Sequence, residues 1–255
     1  MLSYAQSGTL VILAMLVSVF MVLVLNWVWP IPNRKLINDV TGWQLGILGT
    51  TYGVILGFML YTVWIDFRAA EINATQEASS LLTVTRIASA LPEEAREQFR
   101  TLGMKYADAV VNQEWPAMQH QEESHAGEMI EVDMWKLLAA VKDNAGTANS
   151  VDHLTQVLGE LSERRSVREE QLRVRLPVVL WILLLAGGGA TVGSSCVLGN
   201  DNKWLHYCQV LALTFVVAVT LSAIADLARP FEGSVSVSPI AFERAQTIMQ
   251  LDAAR

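Results

Sequence analysis

Four apolar runs, each long enough to cross a lipid bilayer, limit how this chain can fold more than anything else in it. They are residues 9–29, 44–64, 176–198 and 205–227. About 20 helical residues cross a hydrocarbon core of roughly 30 Å. Inside that core each backbone N–H and C=O must be bonded within the protein, so each run is expected to be a helix. The chain has 255 residues and is 52% hydrophobic. Soluble domains come close to that share, so the distribution of apolar residues carries the argument. Trp27, Trp29, Trp43, Trp64, Trp181 and Trp204 fall at or near the run ends, where an indole ring prefers the headgroup layer. The first run could instead be a cleaved leader. Met1–Gly8 holds no basic residue, the run is too long and no small-residue cleavage pattern follows, so a retained span is expected.

Basic residues set the expected orientation. Arg68, Arg164, Arg165, Arg168, Arg173, Arg175, Arg229 and Arg244 lie on one side, against Arg34, Lys35 and Lys203 on the other. By the positive-inside rule both termini and the long middle segment are cytoplasmic. This divides the chain into a first transmembrane hairpin (1–64), a cytoplasmic helical region (65–175), a second hairpin (176–227) and a cytoplasmic tail (228–255). Cys196 and Cys208 flank the short turn near Gly199–Lys203. They are read either as a disulfide, if that side is oxidising, or as two buried thiols acting as small hydrophobes.

The middle segment reads as helices throughout. Phe67, Ala70, Ala74, Ala78, Leu81, Leu82, Thr85, Ala88 and Leu91 recur every three or four residues, and no breaker separates them from the second span. That span should therefore run on until Pro92, where Leu91-Pro92-Glu93-Glu94 restarts a helix. A helix over 93–113, with Phe99, Leu102, Tyr106, Ala109 and Val110 inward, should stop before Glu114-Trp115-Pro116. Further helices are expected around 130–141 and over 151–175. A modest amphipathic pattern at Ile240, Ala241, Ala245 and Ile248 suggests a docked tail helix. Residues 65–175 hold 12 Arg/Lys and 19 Asp/Glu, and that difference equals the net −7 of the chain. The excess is either a solvated helical surface or an acidic vestibule that concentrates cations.

No catalytic constellation is present. His120, His125, His153 and His206 lack metal-ligand spacing, and Gly187-Gly188-Gly189 lies inside an apolar span rather than between a strand and a helix. No enzyme activity, cofactor, metal or nucleic-acid partner is expected.

The second span is unusual. Gly42, Gly46, Gly49, Gly53 and Gly57 follow steps of 4, 3, 4 and 4, and so share one helix face. In lipid the burial of apolar groups does not drive helices together, so small residues at this spacing serve close backbone approach. A packing seam against a neighbouring span of the same chain is expected. Thr51, Ile55, Phe58 and Thr62 project from the other side, as candidates for a pore lining in an oligomer, where apolar rings gate by dewetting. The fourth span ends in Asp226-Leu227-Ala228-Arg229-Pro230-Phe231-Glu232-Gly233. Asp226 and Arg229, three apart, can meet on one face as an interfacial ion pair or serve a ligand.

Taken in order, several motifs resemble the bestrophin-like family of bacterial membrane proteins over almost the whole chain. They are Tyr-Gly-Val-x-Leu-Gly-Phe at 52–58, Val-Trp-x-x-Phe at 63–67, Glu77-Ala78, Arg86, Leu91-Pro92, Glu114-Trp115-Pro116-Ala117-Met118 and Arg229-Pro230-Phe231-x-Gly233. The family is named for its distant similarity to bestrophins, which are pentameric chloride channels with four spans per subunit and a narrow neck lined by the second span. The resemblance implies an all-α, four-span, bestrophin-like membrane protein with a long helical cytoplasmic segment between its second and third spans. It also implies a homo-oligomer, with five subunits as the suggested number, and Thr51, Ile55 and Phe58 at the neck. Asp226, Arg229, Pro230, Phe231 and Gly233 form a structural signature. Bestrophins carry an acidic calcium clasp after the last span, whereas here Glu232 is the only acid in 230–238. The expected function is an ion channel, for small anions by resemblance, in contact with lipid and inorganic ions. The alternative is a non-conducting scaffold or accessory subunit whose glycine row packs another membrane protein.

Overall fold

A computed structural model describes residues 4–141, 148–233 and 235–253. Its helices, in chain order, are α1 (Tyr4–Val28), α2 (Ile31–Lys35), α3 (Asn38–Ala88), α4 (Glu93–Ala109), a π turn (Val110–Glu114), α5 (Trp115–Gln119), α6 (Ala126–Val141), α7 (Ala148–Arg173), α8 (Val178–Val197), α9 (Lys203–Leu227) and α10 (Ile240–Ala253). No strand occurs among the described residues, and α1, α3, α8 and α9 are long and apolar enough to cross a membrane. The fold is all-α with four spans, as the sequence predicts.

The second span is part of α3, a single helix of 51 residues and so about 75 Å long. Nothing between Trp64 and Ala88 interrupts the i→i−4 ladder, and Pro92 begins α4 as its N-cap. The tail and the middle segment belong to one compact unit (66–174 with 229–255). The spans form another (2–65 with 175–228).

In the span unit α1 packs against α8 and α9, and α8 against α9. Val22, Cys196 and Val210 form one small core where these three helices meet. The face α3 buries consists of Tyr52, Leu56 and Val63, which meet Leu184 of α8 and Val217 and Ile224 of α9. The connections at the far end are tied by polar groups. Arg34 is fully buried and donates from Nη1 to the Cys196 carbonyl at 3.1 Å and from Nη2 to Asn26 Oδ1. A guanidinium at the last carbonyls of α8 complements that helix's dipole. Asn38 and Gly199 exchange hydrogen bonds of 2.7 and 2.9 Å. Cys196 is buried and Cys208 exposed, and both are free thiols, so the disulfide reading is set aside.

In the second unit α4 packs on α6 and on α10. Two expectations change. The helix at 93–113 does not stop before Glu114-Trp115-Pro116. It widens into the π turn, where the Trp115 N–H reaches the Val110 carbonyl five residues back. Proline has no N–H to offer and its ring collides with a normal i−4 carbonyl, so opening the ladder just before Pro116 lets the chain stay helical. The tail helix docks through Phe242, Ala245 and Met249, leaving Ile240 exposed and Ile248 half-buried. Ala245 is common to both registers, and the large Phe242 and Met249 take the inward positions that the pattern gave to Ile240, Ala241 and Ile248. Gly103 makes this possible, since a Cβ there would lie 2.6 Å from Thr85 Cγ2 and 3.3 Å from Met249 Sδ.

Candidate functional site: the second span and a buried charge cluster

Among the described residues, nothing in the chain packs closely on the glycine row. At Gly42, Gly46, Gly49, Gly53 and Gly57 an added Cβ would meet nothing within 4 Å. The row lies roughly a quarter turn from the buried Tyr52–Leu56–Val63 face. Periodicity could not place it, because lipid-facing and protein-facing positions in a span are equally apolar.

The four lining candidates do not behave alike. Thr51, Phe58 and Thr62 are exposed in the protomer, Phe58 at 69%. Ile55 is half-buried and packs on the Tyr52 cluster, so it is turned partly into the protomer. Val54, at 53% exposure, sits opposite the buried face and one helical turn before Phe58. Thr50 and Thr62 donate to the Gly46 and Phe58 carbonyls at 2.8 and 2.9 Å, so their hydroxyls are satisfied without water.

Where the row at 42–57 found no contact, two other glycines do. A Cβ on Gly187 would lie 2.6 and 2.7 Å from Cδ2 and Cε2 of Tyr52, and one on Gly188 would lie 2.9 Å from its hydroxyl oxygen. The Tyr52 hydroxyl donates to the Leu184 carbonyl at 2.8 Å.

The second unit encloses a charge cluster that sequence reasoning did not assemble, although its two carboxylates, Glu77 and Glu114, stand in the motifs singled out there. Arg168 on α7 is 1% exposed and donates from Nε to Glu77 Oε2 (2.7 Å) and from Nη2 to Glu77 Oε1 (2.9 Å) and Glu114 Oε2 (2.8 Å). Arg165, one turn earlier, donates from Nη1 to Glu114 Oε2 at 3.0 Å, and its Nη2 lies 2.8 Å from Glu114 Oε1 and from Glu169 Oε1. Tyr106 donates to Glu77 Oε1 at 2.7 Å, and the Gly127 N–H to Glu114 Oε1 at 2.8 Å. Two carboxylates and two guanidiniums thus cancel in the interior, which is the condition under which buried charges persist.

The protonation states follow. Burial alone would raise the Glu114 carboxyl, but hydrogen bonds and charge from Arg165 and Arg168 outweigh it and hold it below the usual range. Burial, joined by the Glu77 charge, pushes the Tyr106 phenol well above its ordinary value. Desolvation acts against the Arg168 cation, yet Glu77 more than compensates and raises it further. Glu114, Arg165 and Arg168 therefore stay ionised across the neutral range, and the Tyr106 phenol stays neutral.

The sequence does carry a signal for it. Val151, Leu154, Leu158, Leu161, Arg165 and Arg168 follow steps of 3, 4, 3, 4 and 3, so both arginines continue an apolar stripe. Ala70, Ala74, Glu77, Leu81, Val84 and Ala88 do the same on α3, with Glu77 as deeply buried as its neighbour Ala78.

Two of the motifs, Glu114-Trp115-Pro116-Ala117-Met118 and Arg229-Pro230-Phe231-x-Gly233, meet beside this cluster. Trp115 donates from Nε1 to the Val237 carbonyl at 2.9 Å, stacks edge-on to Phe231 at 5.7 Å and lies 5.6 Å from the Arg168 guanidinium. Gly233 has φ 78°, a left-handed conformation that suits glycine in the turn after Pro230. Arg229 reaches Glu232 at 3.4 Å, and Glu232 also accepts from Gln121 Nε2 at 2.9 Å. Arg229 thus has a carboxylate partner three residues on, in the turn after Pro230. Elsewhere a cleft of about 550 Å³ presents Arg86, Arg96 and Arg100, but each is paired, with Asp252, Glu93 and Glu97. His120 and His125 are engaged by the Pro116 carbonyl and Glu128.

Among solved structures, the chain is similar to a bacterial bestrophin homologue from Klebsiella pneumoniae, at 14% identity over 93% of this chain and 97% of that one, with a TM-score of 0.73. A tryptophan-to-alanine variant of a Klebsiella pneumoniae homologue matches with a TM-score of 0.77 at 12% identity, over 96% and 97% of the two chains. A leucine-to-threonine variant matches with 0.74 at 14%, over 94% and 98%. No curated protein matches in sequence. The Bestrophin-like domain matches residues 11–242, nearly the full length, and this chain belongs to that family.

Proposed function

We propose that this protein is the subunit of an oligomeric ion channel whose second span lines the pore. The observation that carries the reading is the division of α3. Tyr52, Leu56 and Val63 hold it to its own protomer, while Thr51, Val54, Phe58 and Thr62 form an unpartnered strip of hydroxyls and bulky apolar groups. Around a symmetry axis one such strip per subunit makes rings, hydroxylated at Thr51 and Thr62 and apolar at Val54 and Phe58. Ile55 backs this wall rather than facing the lumen. The bare glycine row lies on the other flank of α3 and offers a neighbouring subunit a close approach, moving the expected seam from within the chain to between copies. Family membership and the shared fold support the channel, and five subunits and small anions are the assembly and cargo the family suggests. The termini and the unit of 66–174 with 229–255 face the cytoplasm of a bacterial inner membrane, on the distribution of arginine.

The test uses the purified, intact oligomer in vesicles of phosphatidylethanolamine and phosphatidylglycerol. Ion flux above protein-free vesicles, raised by Phe58→Ala and selective for chloride over potassium, is the expected result. Flux equal to protein-free vesicles would overturn the reading. It would favour the second one, a scaffold that uses the bare glycine row to bind another membrane protein.

A further inference from the structure

We infer that Tyr52 is the positioning residue of the conduction face, keyed into Gly187 and Gly188 so as to fix the rotation of α3 about its own axis. The inference rests on the channel reading. At its first residue α3 is tied to the protomer by the Asn38–Gly199 hydrogen bonds. Further along the span it touches the protomer through large side chains, and there, among the described residues, the Tyr52 contact is both tight and directional. Its ring lies where a Cβ of Gly187 would be (2.6 Å from Cδ2). Its hydroxyl oxygen would lie 2.9 Å from a Cβ of Gly188 and donates to the Leu184 carbonyl at 2.8 Å. The third glycine of the run, Gly189, would meet nothing within 4 Å, so the socket is two residues wide. Leu56 and Val63 make apolar contacts that tolerate sliding, whereas a ring seated on bare backbone and anchored by a hydrogen bond does not. Successive helical residues differ by about 100°. A rotation of that size would exchange Phe58 for a neighbour, Gly57 or Met59, at the lumen. In a bundle whose outer surface is apolar all round, hydrophobicity cannot choose among these rotations, and a shape-specific contact must.

The geometry gives a discriminating pattern of rescue. In Gly188→Ala the new methyl conflicts chiefly with the Tyr52 hydroxyl. Tyr52→Phe removes that oxygen and leaves Cζ at 3.5 Å, an ordinary contact, with the Val217 methyl at 3.2 Å to adjust slightly. In Gly187→Ala the conflict is with ring carbons, which Tyr52→Phe leaves in place. Each variant is made in the full-length oligomer with Cys208→Ser. Chloride flux is measured in the vesicles above, and Phe58→Cys is added in a parallel set to follow its reaction with a charged, membrane-impermeant methanethiosulfonate.

Gly188→Ala is expected to lower flux and the reaction rate at position 58 by roughly fivefold or more, the factor matching the lower end of overpacking costs. Tyr52→Phe should restore both in Gly188→Ala but not in Gly187→Ala, and Gly189→Ala should match the parent. Equal effects of Gly188→Ala and Gly189→Ala, or rescue of both alanine variants or of neither, would overturn the inference. If the parent carries no flux, the channel reading fails by itself. The thiol rates then decide the key, which stands on the same rescue pattern and falls if position 58 never reacts.

Discussion

Removing Arg168 should be among the most damaging single changes in the chain. Its guanidinium makes three charge-assisted bonds of 2.7–2.9 Å to Glu77 and Glu114, and it is 1% exposed. Arg168→Met keeps much of the volume but leaves Glu77, itself fully buried, held by the neutral Tyr106 hydroxyl at 2.7 Å in place of a cation. Glu114 keeps Arg165 and the Gly127 N–H. Stranding one partner of a buried pair typically costs about 3–5 kcal/mol. With roughly 2–4 °C lost per kcal/mol in units of 150–250 residues, melting should fall by about 6–20 °C. Replacing both partners is a different case, because an apolar pair leaves no stranded charge. Glu77→Leu with Arg168→Met should therefore melt above Arg168→Met alone. The measurement is thermal unfolding of the detergent-solubilised oligomer, followed by far-ultraviolet circular dichroism, for the parent, both single variants and the double. A loss below about 1 kcal/mol for Arg168→Met, the range of surface pairs, would refute the reasoning. So would a double variant as unstable as the sum of the singles.

Other expectations follow from the same contacts. Gly127→Ala places a Cβ 2.5 Å from Arg165 Nη1 and 2.8 Å from Glu114 Oε1. It should cost about 1–3 kcal/mol by the same melting assay, while Gly159→Ala, with nothing within 4 Å, should cost nothing or stabilise slightly. Trp115→Phe keeps an aromatic ring near Phe231 but strands the Val237 carbonyl, and should lose about 1–3 kcal/mol. Because the folded state lowers the Glu114 pKa, its stabilisation is complete above the unfolded carboxylate value near 4.3 and is lost as pH falls through the lower folded value. Acid titration of the parent should show unfolding in that window, and Glu114→Gln should be destabilised at neutral pH yet flatter below about pH 4.

The sequence by itself determined the elements. Four apolar runs of sufficient length had to be helices, because a bilayer gives backbone groups no other partners. The unbroken passage from Trp64 to Ala88 made α3 one rod, and Pro92 restarted the chain as α4. The ordered motifs also pointed to the family. What only the tertiary structure decided was which surface of each rod is used. In a soluble helix the polar face marks the outside, but a span is apolar on every side. The glycines at 42–57 and those at 187–188 are therefore indistinguishable in sequence, yet only the second pair lies against a side chain, Tyr52. Ile55 and Val54 could not be told apart for the same reason. The charge cluster failed differently. Arg165, Arg168 and Glu77 each stand on an inward stripe, where a lone charge argues against burial. What makes burial tolerable is a compensating partner on another helix, 91 residues away for Arg168 and Glu77. Such compensation exists only once the chain has folded.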